Sequence, residues 1–170
     1  MQQLVLAATT QPQAAYCAFT KSLQSEWKFL QSVVPECGCM YTDLEEIISN
    51  DFLQALFGSE ITPEERLLFS LPARMGGLNI KNPVITSPIS YLTSREAAGL
   101  LVNAIKGMEI FQPEAHNENV QLSIRNKKIK NQEKDKRTFD GILPQFSPSL
   151  QRAILRARDS LSAWLTMPPL

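Results

Sequence analysis

Histidine, cysteine and glycine are scarce in this sequence. The 170 residues include one histidine, three cysteines and seven glycines. An odd number of cysteines does not predict a disulfide framework, and Cys37 and Cys39 are spaced too closely for most zinc knuckles. Because His116 lies far away in sequence, neither a zinc site nor a cysteine–histidine nucleophile is indicated. We expect the thiols to be reduced, as in an intracellular protein.

Long apolar runs are also absent. No stretch approaches the roughly 18 consecutive apolar residues that a membrane-spanning helix needs. The N-terminal apolar run, residues 4–8, is too short for the core of a signal peptide. The sequence therefore predicts an intracellular protein, cytoplasmic or nuclear, with no membrane partner.

Paired aspartates of the kind that hold catalytic metal ions are missing. The aspartates are isolated from one another, at Asp43, Asp51, Asp135, Asp140 and Asp159. The neighbouring glutamates Glu45–Glu46 and Glu64–Glu65 fall in first helical turns, where a carboxylate complements the positive end of the helix dipole. We therefore predict no two-metal site, no cofactor and no enzymatic activity.

Charge is distributed unevenly although the formal net charge is zero. Residues 1–120 hold 7 Lys and Arg against 13 Asp and Glu, whereas residues 121–170 hold 10 against 4. Such an asymmetry indicates either an electrostatic contact between the two parts or a basic segment with an anionic partner.

Helical periodicity dominates the pattern of apolar residues. Apolar side chains recur every three or four positions, which is typical of amphipathic helices. The fold class that follows is all-α, with about five helices and one irregular Gly-Gly inset that includes a short extended piece. The clearest helices are predicted over residues 13–34, 42–57, 62–71, 88–105 and from 147 onwards.

Capping signals set the expected ends of these helices. Thr42 and Thr62 each begin a capping box that is completed by a glutamate three residues later. Thr10 is the expected cap of the helix over 13–34, and Ser147 that of the last helix. Gly58 is the expected C-terminal cap of the helix over 42–57. The segments 36–41, 81–87 and 108–119 are expected to be irregular.

The inset is the segment LPARMGGLNI, residues 71–80. Gly76 and Gly77 give the backbone access to positive φ after the preceding helix. Leu78 and Ile80 then alternate with polar residues, as in a short extended piece with one buried face. A phosphate-binding glycine loop is not indicated, because it needs further glycines or a Lys-Ser/Thr ending and a following helix.

The inset resembles a segment of retroelement reverse transcriptases, especially the non-LTR, LINE-like kind. Those enzymes carry a Pro…Gly-Gly-Leu-Gly-Ile segment in or just beyond the thumb, downstream of the polymerase core. Asn79 stands where that pattern has glycine, and asparagine tolerates positive φ well. The matching residues of this chain are Leu71, Pro72, Arg74, Gly76, Gly77, Leu78 and Ile80.

Other stretches resemble the same polyproteins in the same order. Residues 11–30 are similar to a helix that begins Pro-His-Ala-Ala-Tyr-Ala-Ala-Phe, and residues 61–80 extend the Gly-Gly match upstream. Residues 160–170 resemble a Ser-Ser-Trp-Leu-Thr-x-Leu-Pro boundary. The resemblance implies a non-catalytic thumb or connector piece of a retrotransposon reverse transcriptase. It also implies that the catalytic aspartates belong to an upstream polymerase domain, which would be a partner.

This interpretation divides the chain into three parts. Residues 1–119 form a thumb- or connector-like helical region, and residues 147–170 a C-terminal amphipathic helix. Residues 120–146 are a basic linker whose order the sequence leaves open.

Basic side chains in the second and third parts are the candidates for nucleic-acid binding. They attract phosphate through counterion release, without sequence preference. The alternative is a solvated linker or helix face that pairs with the acidic front of the chain. Only Phe139 is nearby for base stacking, so a dedicated single-strand platform is not indicated. The candidates are Arg125, Lys127, Lys128, Lys130, Lys134, Lys136, Arg137, Arg152 and Arg156.

Two alternatives from other classes remain. An independent helical module would bind a protein partner through an exposed apolar inset and its amphipathic helices. A fragment should expose a broad apolar face, whereas a self-sufficient module should bury its apolar stripes. A hydrolase that uses Cys37 or Cys39 is the weakest alternative.

Overall fold

The computed structural model describes residues 1–159, and within them the fold is all-α, as predicted. No strand occurs in this part of the chain. The helices are α1 (Gln2–Thr10), α2 (Pro12–Ala18), α3 (Gln24–Val33), α4 (Thr42–Glu46), α5 (Leu53–Phe57), α6 (Pro63–Ser70), α7 (Pro83–Ile105), α8 (Pro113–Ile142) and α9 (Pro148–Asp159). Two π-helical turns, Phe19–Leu23 and Ile47–Phe52, and three 3₁₀ turns, Cys37–Tyr41, Ala73–Met75 and Leu143–Gln145, lie between them in residues 1–159.

The long helix predicted over residues 13–34 is present. It consists of α2, the first π turn and α3 in unbroken succession. The cap expected at Thr10 is wrong, because Thr10 is the last residue of α1 and Gln11 precedes the helix. Helix α1 was not predicted, although Leu4, Val5 and Ala8 are spaced as on one helical face.

One of the two predicted capping boxes forms. The Thr62 hydroxyl accepts from the Glu65 amide at 3.2 Å, and the Glu65 carboxylate accepts from the Thr62 amide at 2.9 Å. Thr42 makes no such box, since its hydroxyl donates instead to the carbonyl oxygen of Cys39 at 2.9 Å. The reason is that α4 continues directly from the 3₁₀ turn Cys37–Tyr41, which replaces the expected loop.

The first core joins the N-terminal helices to the inset. The rings of Phe19 and Phe52, one from each π turn, stack with centroids 4.8 Å apart. Leu78 and Ile80 of the inset are both buried in the same core, so these apolar side chains are not exposed. The buried members of this core are Ala8, Ala15, Phe19, Ile48, Phe52, Leu53, Leu56, Leu78 and Ile80.

A second core lies under the last helix. It brings together the end of α6, the end of α8 and α9. The Ser147 hydroxyl accepts from the Leu150 amide at 3.4 Å, which agrees with the predicted cap. Leu161 and Trp164, predicted for the same helix, lie outside the described residues. The buried members are Leu68, Leu71, Phe139, Ile142, Phe146 and Ile154.

Helices α7 and α8 form a long antiparallel hairpin. α7 begins at Pro83, earlier than predicted, because the Asn82 side chain accepts from the Ile85 amide at 3.1 Å and caps the helix. Residues 113–142 are helical, so the loop expected over 108–119 is wrong from Pro113 onwards. Residues 120–142, expected as a linker, continue the same helix.

Helix α8 has few apolar residues in its middle, which is why the sequence pattern did not reveal it. Polar bonds and its two ends hold it in place. Near the start, the Asn119 amide donates to the carbonyl oxygens of Glu96 at 2.9 Å and Ala97 at 3.2 Å on α7. Near the end, Phe139 and Ile142 are buried in the second core.

The two glycines of the inset meet different structural requirements. Gly76 has φ +77°, in the left-handed region that favours glycine. Gly77 lies so close to the end of α6 that an added Cβ would be 2.1 Å from the Leu71 carbonyl oxygen. Asn79 has φ +58°, a conformation that asparagine tolerates better than most residues. The inset thus needs glycine twice, once for conformation and once for space.

Replacing Gly77 with alanine should destabilise the fold by at least about 2 kcal/mol, because the backbone of two elements must move apart. The matched control is Gly99→Ala inside α7, where an added Cβ meets nothing within 4 Å. That control should stabilise the protein by about 0.5–1 kcal/mol through helix propensity. Urea unfolding gives both values, and a Gly77→Ala variant as stable as wild type would contradict the packing described here.

Candidate nucleic-acid interface

Buried side chains fix the backbone of the inset in place. The Gln24 amide donates to the Asn79 carbonyl oxygen at 3.1 Å, and its oxygen accepts from the Lys81 amide at 2.7 Å. The Tyr16 hydroxyl donates to the Leu78 carbonyl oxygen at 2.8 Å. Gln31 donates to the Pro83 carbonyl oxygen at 2.9 Å. These bonds satisfy buried backbone groups that no strand partner pairs.

Arg66 adds a charged clamp from α6. Its guanidinium donates to the Ile80 carbonyl oxygen at 2.9 Å and to both carboxylate oxygens of Glu45, at 2.7 and 2.8 Å. Such a bidentate, shielded pair orients the arginine more firmly than an exposed pair would. Glu45, expected only to complement a helix dipole, therefore also links α4 to the inset.

A cavity of about 430 Å³ opens beside the inset, between α3, α7 and α8. Four lysines from three directions line it: Lys28 from α3, Lys81 after the inset, and Lys127 and Lys134 from α8. Cations from separate elements focus positive potential on a concave surface and attract anions.

A second cavity, of about 450 Å³, continues the first across the inset. The two share Asn79, Lys81, Lys127, Asn131 and Asp135 in their linings. Asp135 is the one carboxylate among the lining residues of either cavity. We call the combined surface the basic cleft, and its cations are Lys28, Arg74, Lys81, Lys127, Lys128 and Lys134.

Two cleft lysines are partly desolvated. Burial lowers the pKa of Lys81, as do the nearby Lys134 and Arg74 charges, while Asp135 raises it. The Lys81 ammonium lies 3.9 Å from the Asp135 carboxylate, too far for a strong ion pair. Burial and the Lys28 charge lower the pKa of Lys127, whose ammonium lies 3.4 Å from the Ser90 hydroxyl. A bound anion would reduce the repulsion between each of these lysines and the cations near it.

The structure divides the predicted basic residues into two groups. Lys127, Lys128 and Lys134 line the cleft. The remaining candidates are exposed and are not among its lining residues: Arg125, Lys130, Lys136, Arg137, Arg152 and Arg156.

Sequence reasoning missed Lys28 and Lys81 as members of the cleft. The four-residue spacing of Lys127 and Asn131 indicates that they share a face of α8, but nothing local predicts the partners of that face. Phe139, considered for base stacking, is buried beneath Arg158, whose guanidinium carbon lies 5.6 Å from the ring centroid. The aromatic residue that lines the cleft is Trp27.

The motif residues of the inset serve packing and the cleft together. Leu71, Leu78 and Ile80 are buried, and Gly76 lies against the Ile154 backbone of α9. Pro72 and Arg74 line the second cavity.

The turn of the α7–α8 hairpin exposes apolar side chains. Ile105 is 77% exposed, Met108 70% and Ile110 91%. We call these three residues the hairpin tip. Neither core includes a residue between positions 81 and 138, and the first part of α7 packs instead on α3 and on the turn Cys37–Tyr41.

Metal and membrane features are not found in residues 1–159. No three His, Cys, Asp or Glu side chains of this part are grouped so that they could hold a metal ion. None of its helices combines the length and apolarity that crossing a membrane needs. Comparison of the chain with protein-family models, with curated proteins and with solved structures finds no match.

The stability of the fold should rise with pH across the window just below 10.5, the ordinary pKa of lysine. There the unfolded chain binds more protons than the folded one, whose Lys81 and Lys127 pKa values are lowered. Urea unfolding between about pH 7 and about pH 9.5 measures this slope. Burial raises the pKa of Tyr16 and of Tyr41, so their opposite contribution grows as the pH approaches 10.0, which is why the measurement ends at about pH 9.5.

Lys127→Met should reduce this slope, because it removes one of the two desolvated ammonium groups. Lys130→Met on the outer face of α8 is the matched control and should keep the wild-type slope. Equal slopes in all three proteins would show that Lys127 is not desolvated.

Proposed function

We propose that this chain is a non-catalytic helical unit of a retrotransposon reverse transcriptase polyprotein, from the thumb or connector region. Its role would be to brace the polymerase domain and to bind the template–primer backbone. The observation that carries the proposal is the convergence of lysines from α3, from the position just after the inset and from α8 on one cleft. The ordered resemblance of residues 11–30 and 61–80 to such polyproteins supports the assignment to that family.

The arrangement of cations in the cleft suits the repeating phosphates of a nucleic-acid strand. Its cations are spread along a groove that continues across the inset, and phosphates repeat along a nucleic-acid strand. The cleft offers ammonium groups and amides but few fixed carboxylates, so a polyanion meets little repulsion. Binding of this kind needs no particular base sequence.

Reversing the cleft charges should abolish binding to a fluorescein-labelled RNA–DNA hybrid with a single-stranded overhang. The test variant carries Lys28→Glu, Lys127→Glu and Lys134→Glu. The control carries Lys130→Glu, Lys136→Glu and Arg137→Glu on exposed positions, with the same change in net charge. We expect the cleft variant to lose about 100-fold in affinity and the control only a few-fold, because counterion release depends on contacted phosphates.

Salt dependence provides the second readout of the same experiment. Affinity of the wild type should fall steeply as salt rises, and the slope should become shallower in the cleft variant. Binding that is absent at low salt, insensitive to salt or equally weakened in both triple variants would contradict the proposal.

The alternative, an independent protein–protein interaction module, rests on the hairpin tip rather than on the buried inset. Exposed apolar side chains at adjacent positions are typical of surfaces that meet another protein. The same tip also fits the fragment, whose apolar surface would contact the polymerase domain. Self-association distinguishes the two.

If the hairpin tip belongs to a larger assembly, the isolated chain should self-associate as its concentration increases. Sedimentation velocity should then show a monomer for the variant with Ile105→Lys and Ile110→Lys. Leu6→Lys on α1, where the side chain is 70% exposed, is the matched control and should not change the association. A wild type that stays monomeric at every concentration would favour the independent module.

A further inference from the structure

The first cavity of the basic cleft has two chemically different sides. Trp27, Leu67, Ile85 and Ile89 supply apolar surface, and Lys28 and Lys127 supply charge. Apolar side chains contribute nothing to the binding of phosphate, so a groove that binds only phosphates needs no apolar side. An apolar wall beside cations suits a ligand that joins a flat, weakly polar ring to a phosphate.

The size and depth of this cavity limit the ligand further. Its volume of about 430 Å³ lies at the lower end of the range for small-molecule sites, about 300–1,000 Å³. A base that is stacked and paired inside a duplex is too enclosed to enter such a cavity. An unpaired base is accessible, and bases stack readily on aromatic side chains.

Polar side chains also line this cavity. Asn131 from α8 and Ser90 from α7 line the same cavity, and Ser90 already contacts the Lys127 ammonium at 3.4 Å. Amides and hydroxyls at this position suit the edge of a base or a ribose hydroxyl. The amides of Gln24 and Gln31 are occupied by the backbone and by Thr86, so they contribute shape rather than recognition.

We propose that this cavity holds one unpaired nucleotide, with the base against Trp27 and Ile89 and the phosphate between Lys28 and Lys127. The inference deepens the proposed function and rests on it. It distinguishes the two cavities of the cleft: the one beside Trp27 takes a base, and the one beside Arg74 takes backbone phosphate only. Charge complementarity on one side and ring-sized apolar surface on the other select a nucleotide over a simple anion.

The test compares nucleic acids of equal strand length, of which the single strand and the abasic strand carry equal numbers of phosphates and the duplex twice as many. The probes are a labelled single-stranded RNA, the same RNA annealed into a blunt duplex, and an abasic strand of equal length. We expect the single strand to bind about 10- to 100-fold more tightly than the abasic strand, since stacking contributes per base. The blunt duplex should resemble the abasic strand.

Trp27 reports on occupancy directly. In a Trp164→Phe background Trp27 is the only remaining tryptophan, because the chain has two. Its fluorescence should be quenched by the single-stranded RNA and not by the abasic strand.

Competition with uridine monophosphate shows whether the cavity prefers a free nucleotide or one within a strand. Displacement of the labelled RNA at equal nucleotide concentration indicates a free nucleotide, and weak displacement indicates a nucleotide within a strand.

Filling the cavity gives an independent check. Ser90→Phe should remove the preference for bases while leaving salt-dependent binding of the abasic strand intact. Ile89→Ala removes part of the apolar wall and should weaken the binding of single-stranded RNA about 3- to 10-fold, because the base then has less surface to pack against. Ile105→Ala at the hairpin tip is the control and should change neither. Thermal unfolding by circular dichroism confirms that each variant is folded.

Each outcome decides the inference separately from the proposed function. Equal affinity for single, abasic and duplex probes would overturn the base-binding cavity and leave polyanion binding in place. Failure to bind any probe at low salt would overturn both. Stronger displacement of the RNA by a phosphotyrosine peptide than by unlabelled RNA would also overturn the inference, because a protein would then be the better ligand.

Discussion

The close approach of Gly77 to the end of α6 is the constraint on which the rest of the fold depends. Without a side chain there, the backbone lies against the carbonyl oxygens of Leu68 and Leu71. The chain can then return along α6, and the amides of Leu78 and Ile80 both donate to the Phe69 carbonyl oxygen, at 3.2 and 3.0 Å. Over this short distance the chain passes from one core to the other. Lys81 follows at once, so the position of the cleft is set by the same turn.

Local signals in the sequence predicted much of the fold, while the site depended on tertiary packing. The capping box at Thr62 and the terminal glycine at Gly58 formed because their chemistry is complete within a few residues. The positive φ at Asn79 agrees with the tolerance of asparagine for that conformation. Helix α8 could not be predicted with its true length, since its middle lacks an apolar face and Asn119 and the second core hold it. Lys28 and Lys81 meet Lys127 only because three distant segments fold together.

The fold places cations from both parts of the chain in one cleft, although the sequence separates an acidic part from a basic part. The acidic front of the chain does not neutralise the basic part as a whole. Glu45 is committed to Arg66, and in the cleft Lys28 and Lys81 from the front add to the positive charge of α8. The desolvation of Lys81 and Lys127 costs stability that a bound polyanion would restore.

Helix α8 sets the distance between the hairpin tip and the basic cleft. At about 1.5 Å per residue, Lys127 lies about 20 Å along the helix axis from Pro113, beside the hairpin tip. That length equals about six nucleotides of one strand in a duplex, which rise about 3.4 Å each. A polymerase domain seated on the tip and a phosphate held in the cleft would therefore be kept at a fixed separation. The length of the helix would thus set the number of nucleotides between the polymerase domain and the cleft.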